Sequence, residues 1–253
     1  MSTAEPSAGL GREERRAIST DLTTLAVLHD REPDSESLAR LRQAPFQDWL
    51  GLRLTKPESG QALAFFDEAL AGLPEPLDEV SLDELAADFA RIYLGYRYKV
   101  AATESVWLTE ENLVMQEPMF EIREAYAHYG LEVENWRTRS DDHLVLQLAF
   151  LAHVIAQEDR PYALIDAGRF MDAHILQWIQ AFARRVTERA EQAYYAGLAL
   201  ATACYLDELR DLLVAATGEA RRDTEIAEKI APQQEPDEAR DGSRFVPGTG
   251  PTW

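Results

Sequence analysis

The residues best suited to chemistry are an acidic segment that ends in histidine, Asp141-Asp142-His143, and a separate carboxylate, Glu104. Carboxylates and imidazoles can together hold a metal ion, move protons or attract a cationic partner. Which of these the chain can do depends on how its other acidic and histidine residues are spaced.

The spacing does not predict a metal centre or a catalytic site. A di-iron site in a helical bundle needs Glu-x-x-His on two helices, but the nearest pair, Glu124 and His128, is one residue too far apart and has no second copy. His143 and His153 lie ten residues apart, which places them about 80° apart around a helix and makes a poor chelate. The sequence also lacks a Gly-rich phosphate loop, a nucleophile elbow and an HExxH motif. We therefore expect no catalysis and no cofactor.

The composition favours a cationic partner. The chain has 25 basic and 45 acidic residues, a formal net charge of −20. Such a surface repels phosphate backbones and anionic lipid, so basic segments of other proteins are better partners than nucleic acid or membranes. The same charge can also simply maintain solubility. The single cysteine, Cys204, excludes an internal disulfide and a Cys-rich metal site, and its apolar surroundings predict a buried, inert thiol.

The elements that position these residues have helical periodicity from the start of the chain. A first helix over residues 12–30 is predicted by an apolar stripe at three- and four-residue spacing, formed by Ile18, Leu22, Leu25 and Leu28. Pro45 divides a second helical stretch over residues 36–54. A third helix is predicted by Leu63, Phe65, Phe66 and Leu70, and ends at Gly72.

A capping box precedes the loop that carries Glu104. Ser81 and Glu84 have the spacing of this box, and the helix that it opens is predicted to end at Gly95 in a left-handed cap. Residues 96–116 break the helical period and read as a long loop with a short extended piece at 105–108. Loops of this length inside a compact domain are often functional.

The second half of the chain is also helical. Pro118 begins a helix that runs to Tyr129, and Asp141-Asp142 stand at the start of a very apolar helix that we expect to be central. One following helix is predicted by a repeat every four residues, Phe170, His174, Trp178, Phe182 and Val186. The last long helix is predicted over residues 189–216 and stops at Gly218.

These patterns predict an all-α protein with one helical bundle domain over residues 12–217. Residues 1–11 are expected to be a flexible N-terminus, and residues 218–253, rich in acidic residues and proline, a mostly disordered tail. We find no export signal and no stretch apolar enough to span a bilayer, so the expected location is the cytoplasm.

The order and spacing of several segments resemble the TorD/DmsD family of molybdoenzyme maturation chaperones. The resemblance runs from about Asp21 to Thr217 and is most distinctive over Phe89–Leu144. It rests on an aromatic helix that ends in glycine, a loop with a Ser-Val-aromatic piece and an acidic-Asp-His segment before the central helix. These segments are Phe89-Ala-Arg-Ile-Tyr93-Leu-Gly95, Glu104-Ser105-Val106-Trp107 and Asp141-Asp142-His143-Leu144.

The resemblance implies that the chain binds the apo catalytic subunit of a molybdopterin oxidoreductase, through an N-terminal leader that is often of the twin-arginine type. Such a leader is basic and apolar, so its receptor needs an acidic rim beside a hydrophobic groove. Candidate client-binding residues are therefore Asp141, Asp142, His143, Glu104, Ser105, Trp107, Phe89 and Tyr93. Most of these residues also have a simpler interpretation: the aspartates as helix caps, His143 as the hydrogen-bond partner of a neighbouring carboxylate, the aromatics as core, and Glu104 as a solvated loop carboxylate. The histidines outside this set, His29, His128, His153 and His174, are expected to be structural.

Three functions remain compatible with the sequence. The first is a dedicated molybdoenzyme chaperone that binds an exported client through its leader. The second is an assembly chaperone of the nitrate reductase delta type, whose client carries no export leader. The third is a helical enzyme or a small-molecule-binding protein. Both a monomer and a dimer formed by exchange of helices fit the sequence.

Overall fold

The computed structural model describes residues 9–95, 100–110 and 112–222. Within them the chain forms ten α-helices in the order α1 (Arg12–Asp30), α2 (Ser35–Leu41), α3 (Pro57–Gly72), α4 (Glu79–Phe89), α5 (Ser105–Leu108), α6 (Glu117–His128), α7 (Leu144–Ile155), α8 (Ala163–Ala173), α9 (Ile175–Arg189) and α10 (Ala193–Thr217). A 3-10 turn covers Phe46–Trp49, and a π-helical turn, Ala90–Leu94, extends α4. The predicted all-α class is confirmed. The tail from residue 223 onward and residues 1–8 lie outside the described residues.

The bundle is organised around two apolar helices. The first, α7, is buried on most sides and packs along α1, while α10 packs along α3, α8 and α9. Gly197 on α10 allows the close approach of α3, because a Cβ atom there would lie 2.8 Å from the Cα atom of Phe66. Gly218 ends α10 with a φ of +74°, a left-handed conformation that favours glycine. Both helices thus bury long apolar faces in one continuous core.

The predicted helices α1, α3, α6 and α10 are found within a few residues of their expected bounds. Two predictions about helix ends and one about a loop segment are wrong. The N-cap of α4 is Asp78, whose side chain accepts a hydrogen bond from the backbone N of Ser81, so Ser81 lies inside the first turn. Gly95 has a φ of −121° and is extended rather than left-handed. The piece at Ser105–Leu108 is a helical turn, not an extended segment.

The helix predicted through His174 is in fact two helices. α8 ends at Ala173 and α9 begins at Ile175, with His174 between them at φ −126° and ψ −91°. The four-residue apolar repeat continues through the break because both helices bury the same side against the core. The break turns the His174 side chain into a buried polar cluster.

Candidate functional site

The loop that carries Glu104 is docked on the start of α7 by backbone hydrogen bonds. The backbone N of Leu144 donates to the carbonyl of Ala102 over 2.8 Å, and the backbone N of Glu104 donates to the carbonyl of Asp142 over 3.1 Å. An isolated antiparallel bridge lies between these two bonds. Two segments about forty residues apart in the sequence, which the family resemblance emphasises separately, therefore meet side by side.

Asp142 is the centre of this contact. Its carboxylate has an exposed fraction of 0 % and accepts hydrogen bonds from the backbone N of Ser105 (2.7 Å), the Oγ of Ser105 (2.6 Å) and the Oγ of Ser140. All three donors are neutral. Hydrogen bonds to a charged acceptor are stronger than those between neutral groups, and three of them compensate for the burial of one carboxylate. Asp142 therefore fixes the position of the loop.

Glu104 extends the same buried polar cluster toward α9. Its Oε2 accepts from the side-chain amide of Gln147 and its Oε1 from the Nδ1 of His174, both over 2.9 Å. Burial raises the pKa of the Glu104 carboxyl above its ordinary value, and the contact with His174 opposes that shift. We use the name buried polar cluster for Glu104, Ser105, Asp142, Gln147 and His174.

Two members of the cluster, Gln147 and His174, were not among the predicted site residues. His174 was expected to be structural, and its position between two helices was hidden by the apolar repeat. Gln147 gives a clearer signal, since it is a buried polar residue with apolar residues on both sides in the first half of α7. A buried polar group needs a partner, so Gln147 alone predicts a second polar segment against α7.

His143 caps α7 rather than pairing with a carboxylate. Its Nδ1 accepts a hydrogen bond from the backbone N of Val145 over 3.2 Å. Burial, together with the nearby cation of Arg139, lowers the pKa of His143 to about 3. The ring is therefore neutral near pH 7, and its unprotonated Nδ1 is available as the cap acceptor.

The predicted aromatic residues belong to the core. The rings of Phe89 and Tyr93 stack with centroids 4.8 Å apart, and Trp107 stacks on Trp178 at 6.5 Å. Phe182 joins the two pairs, since its ring contacts both Tyr93 and Trp107. Phe89 and Trp107 are buried and Tyr93 is half-buried, so these rings fill the interior beneath the loop.

Asp141 is surrounded differently from Asp142. Its carboxylate pairs with the guanidinium of Arg123, with 2.9 Å between Nη2 and Oδ2 and 3.3 Å between Nε and Oδ1. The guanidinium carbon of Arg123 also lies 5.6 Å from the ring centre of Phe120 and 5.0 Å from that of Trp136. The backbone carbonyl of Asp141 accepts a hydrogen bond from the hydroxyl of Tyr126.

The expectation of an exposed acidic rim beside an apolar groove is wrong in its geometry. Asp141, Asp142 and Glu104 have exposed fractions of 2 % or less, and the predicted aromatic residues pack inward. The physical reason is that each carboxylate finds enough donors inside the protein to be buried. The part that the eight predicted residues play in client binding stays a prediction.

Two other sequence predictions concern metal and cysteine chemistry. Across the described ranges, His, Cys, Asp and Glu side chains do not come together in groups of three that could hold a metal ion. Cys204 is half-buried rather than fully buried, and burial raises the pKa of its thiol. A raised thiol pKa disfavours the reactive thiolate.

Comparison with known proteins places the chain in a family. The model of the nitrate reductase delta subunit family matches residues 57–184, which include the whole of the buried polar cluster and the Arg123–Asp141 pair. The chaperone protein TorD of Vibrio cholerae (strain O395) is 28% identical over 171 residues, covering 65% of this chain and 77% of that protein. TorD of Salmonella agona is 27% identical over 198 residues, covering 76% of this chain and 90% of that protein. Because the family model spans half of the chain, the chain belongs to the nitrate reductase delta subunit family, that of the TorD-like molybdoenzyme maturation chaperones.

Proposed function

We propose that this chain is a system-specific chaperone that binds the apo catalytic subunit of a molybdopterin oxidoreductase and holds it until its cofactor has been inserted. The observation that carries the proposal is the family match over residues 57–184, supported by relatives that are named as chaperones. A chaperone role is non-catalytic, so the protein is not an enzyme.

The finer proposal is that the chaperone contacts the N-terminal leader of its client, of the twin-arginine type. The formal net charge of −20 favours a basic segment over an acidic one. Side chains suited to the apolar part of a leader are exposed on either side of the turn that starts α6, namely Leu113 and Phe120, and Phe120 has an exposed fraction of 53 %. Burial of an apolar stretch supplies most of the affinity, while charges orient the leader.

The predicted site residues enter this proposal in two roles. Asp142, Ser105 and Glu104 act as positioning residues, because they hold the loop against α7. His143 acts as a positioning residue at the start of that helix, which it caps. Phe89, Tyr93 and Trp107 support the same loop from below as part of the aromatic core. Asp141 is the one predicted carboxylate whose partner, Arg123, reaches the surface, and we assign it the contact with the leader.

A second candidate function is an assembly chaperone of the nitrate reductase delta type with a client that is not exported. The description of the matching family favours it. In that case the contact lies on another part of the client, and no twin-arginine leader is needed. In both cases we place the protein in the cytoplasm. No helix in the described part of the chain is long and apolar enough to cross a membrane.

The test is to isolate the tagged full-length protein from its native cells, grown with and without molybdenum, and to identify what it retains. The proposal expects a large molybdoenzyme subunit, enriched when molybdenum is withheld because the apo form then accumulates. A client whose leader is deleted separates the two candidates: loss of binding supports leader recognition, and retained binding supports the delta-type role. Absence of any redox subunit under both conditions overturns the chaperone proposal.

A further inference from the structure

The guanidinium of Arg123 occupies a site with three walls. One wall is the carboxylate of Asp141, which it contacts through two nitrogen atoms, and the other two are the rings of Phe120 and Trp136. A carboxylate contacted by two guanidinium nitrogens and flanking aromatic rings is a combination that suits arginine better than lysine. We call Asp141, Phe120 and Trp136 the guanidinium seat.

The seat opens to the surface, although its carboxylate is buried. The side chain of Arg123 is 38% exposed, whereas that of Asp141 is 2% exposed, so Arg123 lies at the surface with the carboxylate behind it. In the described part of the chain, Arg123 is the one cation that forms an ion pair with Asp141. Removing Arg123 therefore leaves a carboxylate that no other described cation neutralises.

The surroundings of the seat are acidic. Glu132 lies close enough to contribute to the raised pKa of Arg123, after the larger contribution of Asp141. Glu117 and Glu124 are exposed three residues before and four residues after Phe120, so helical spacing places them beside it on α6. Arg137, the other cation here, contacts Trp136 at 5.2 Å. The excess of negative charge around the seat favours the approach of a second guanidinium to that of Arg123.

We propose that Arg123 is an internal placeholder that keeps the seat occupied until an arginine side chain of the client's leader displaces it. This inference rests on the proposed function and names the contact within it. Exchange of one guanidinium for another conserves the two hydrogen bonds and both ring contacts. The side chain of Arg123 is 38% exposed, so its guanidinium can turn into solvent when the leader arginine takes over the contact. The buried carboxylate of Asp141 is then paired both before and after the exchange, and no buried charge is left without a partner.

The placeholder makes a prediction that a purely structural ion pair does not. If leader arginines compete with Arg123, only the molecules in which Arg123 has left the seat can bind. The apparent affinity is then the intrinsic affinity multiplied by the fraction of such molecules. Arg123→Ala then binds an arginine-containing peptide more tightly than the natural protein does, whereas loss of a merely structural pair weakens binding or leaves it unchanged.

The first experiment asks whether the seat accepts a free guanidinium, independently of any client. The Arg123→Ala protein is melted with and without millimolar ethylguanidinium, alongside Arg123→Ala/Asp141→Asn, which retains the rings but not the charge. The inference expects a concentration-dependent rise in melting temperature in the single variant, absent from the double variant and from the natural protein. Equal responses in all three proteins overturn it.

The second experiment measures the affinity of a synthetic peptide with two consecutive arginines followed by an apolar stretch, by calorimetry. We expect Arg123→Ala to bind about fivefold to tenfold more tightly than the natural protein, and Arg123→Lys to lie in between. Arg12→Ala is the matched control, because it removes one positive charge from another surface pair, that of Arg12 with Glu158. Within the described residues no aromatic ring contacts the guanidinium of Arg12. When glutamines replace the two arginines of the peptide, we expect Arg123→Ala and the natural protein to bind it with the same affinity.

The outcomes separate the placeholder from the proposed function. Equal gains in Arg123→Ala and Arg12→Ala show a general effect of charge and overturn the placeholder. An unchanged or weaker affinity in Arg123→Ala also overturns it, while the chaperone role stands as long as the natural protein retains its molybdoenzyme subunit from cells. A circular dichroism spectrum and melting curve of each variant exclude loss of fold as the cause of weaker binding.

Discussion

Asp141 and Asp142 are consecutive carboxylates with different partners. Asp142 accepts hydrogen bonds from three neutral donors in the loop and its own segment, and among the described residues none of its hydrogen-bond partners is a cation. Asp141 is paired with a guanidinium that reaches the surface between two aromatic rings. Asp142 therefore organises the interior, whereas the neighbouring Asp141 is the carboxylate that we propose exchanges its cation for one from a partner.

The comparison teaches that acidic residues before a helix need not share a role. A carboxylate held by backbone and hydroxyl donors cannot change partners without breaking the docked loop, because those donors would be left buried and unsatisfied. A carboxylate held by an arginine side chain that reaches the surface can change partners and remain paired, because one cation takes the place of another. The following predictions test this difference, from the largest expected effect to the smallest.

Asp142→Ala is expected to have the largest effect on stability. The substitution leaves the backbone N and Oγ of Ser105 and the Oγ of Ser140 without their acceptor, so we expect a loss of about 3 kcal/mol in the free energy of unfolding. Urea unfolding followed by circular dichroism measures it. Asp83→Ala, at an exposed position of α4, is the control and should stay within about 0.5 kcal/mol of the natural protein. Equal losses in the two variants would refute a structural role for Asp142.

The neutral His143 ring predicts a dependence of stability on pH. Its pKa is about 3 in the folded protein and 6.5 in its ordinary state, so the unfolded chain binds the proton more readily and stability is lost as pH falls below about 6.5. Between pH 7.5 and 5.5 this amounts to about 1.4 kcal/mol. His143→Asn keeps a cap acceptor but cannot be protonated. The variant should therefore lose less stability over this interval than the natural protein, as measured by urea unfolding at both pH values. Identical pH profiles would show that His143 is not the group responsible.

Asp141→Asn should change stability by about 1 kcal/mol at most, because it weakens an ion pair whose arginine can turn to water. Its effect on the binding of the arginine-containing peptide should be larger, a loss of about tenfold or more, since the carboxylate is the charged wall of the seat. Unfolding and calorimetry on the same preparation give both numbers. Should stability fall as far as in Asp142→Ala, the proposed difference between the two aspartates is wrong.

Phe120→Ala is expected to have the smallest effect on the fold. The ring is largely exposed, so the free energy of unfolding should change by no more than about 0.5 kcal/mol. Removal of one ring from the seat should weaken peptide binding severalfold, by about 1 kcal/mol of cation–π and apolar contact. Phe65→Ala, which removes an exposed ring from α3, should leave peptide binding unchanged. A similar loss in both variants would mean that the peptide binds exposed apolar surface without using the seat.

Much of the fold could be predicted from the sequence, because long helices leave a strong periodic signal. The stripe that begins at Ile18 and the apolar run that begins at Leu144 correspond to α1 and α7, and Gly218 ends α10 as expected. The N-cap of α4 and the break at His174 were missed for local reasons. Asp78 and Ser81 are both good caps, and an apolar repeat does not register a change of helix direction when both helices face the same core.

The sequence by itself determined the helical class, the acidic charge and the three segments whose pattern resembles the chaperone family, since these depend on composition and local spacing. Only the tertiary structure decided that Asp141, Asp142 and Glu104 are all buried, and which partners each of them has. That outcome depends on donors far away in the sequence: Ser105 is 37 residues from Asp142, His174 is 70 residues from Glu104, and Arg123 is 18 residues from Asp141. Whether a charge is buried is set by the partners that folding brings to it, and local spacing does not encode those partners.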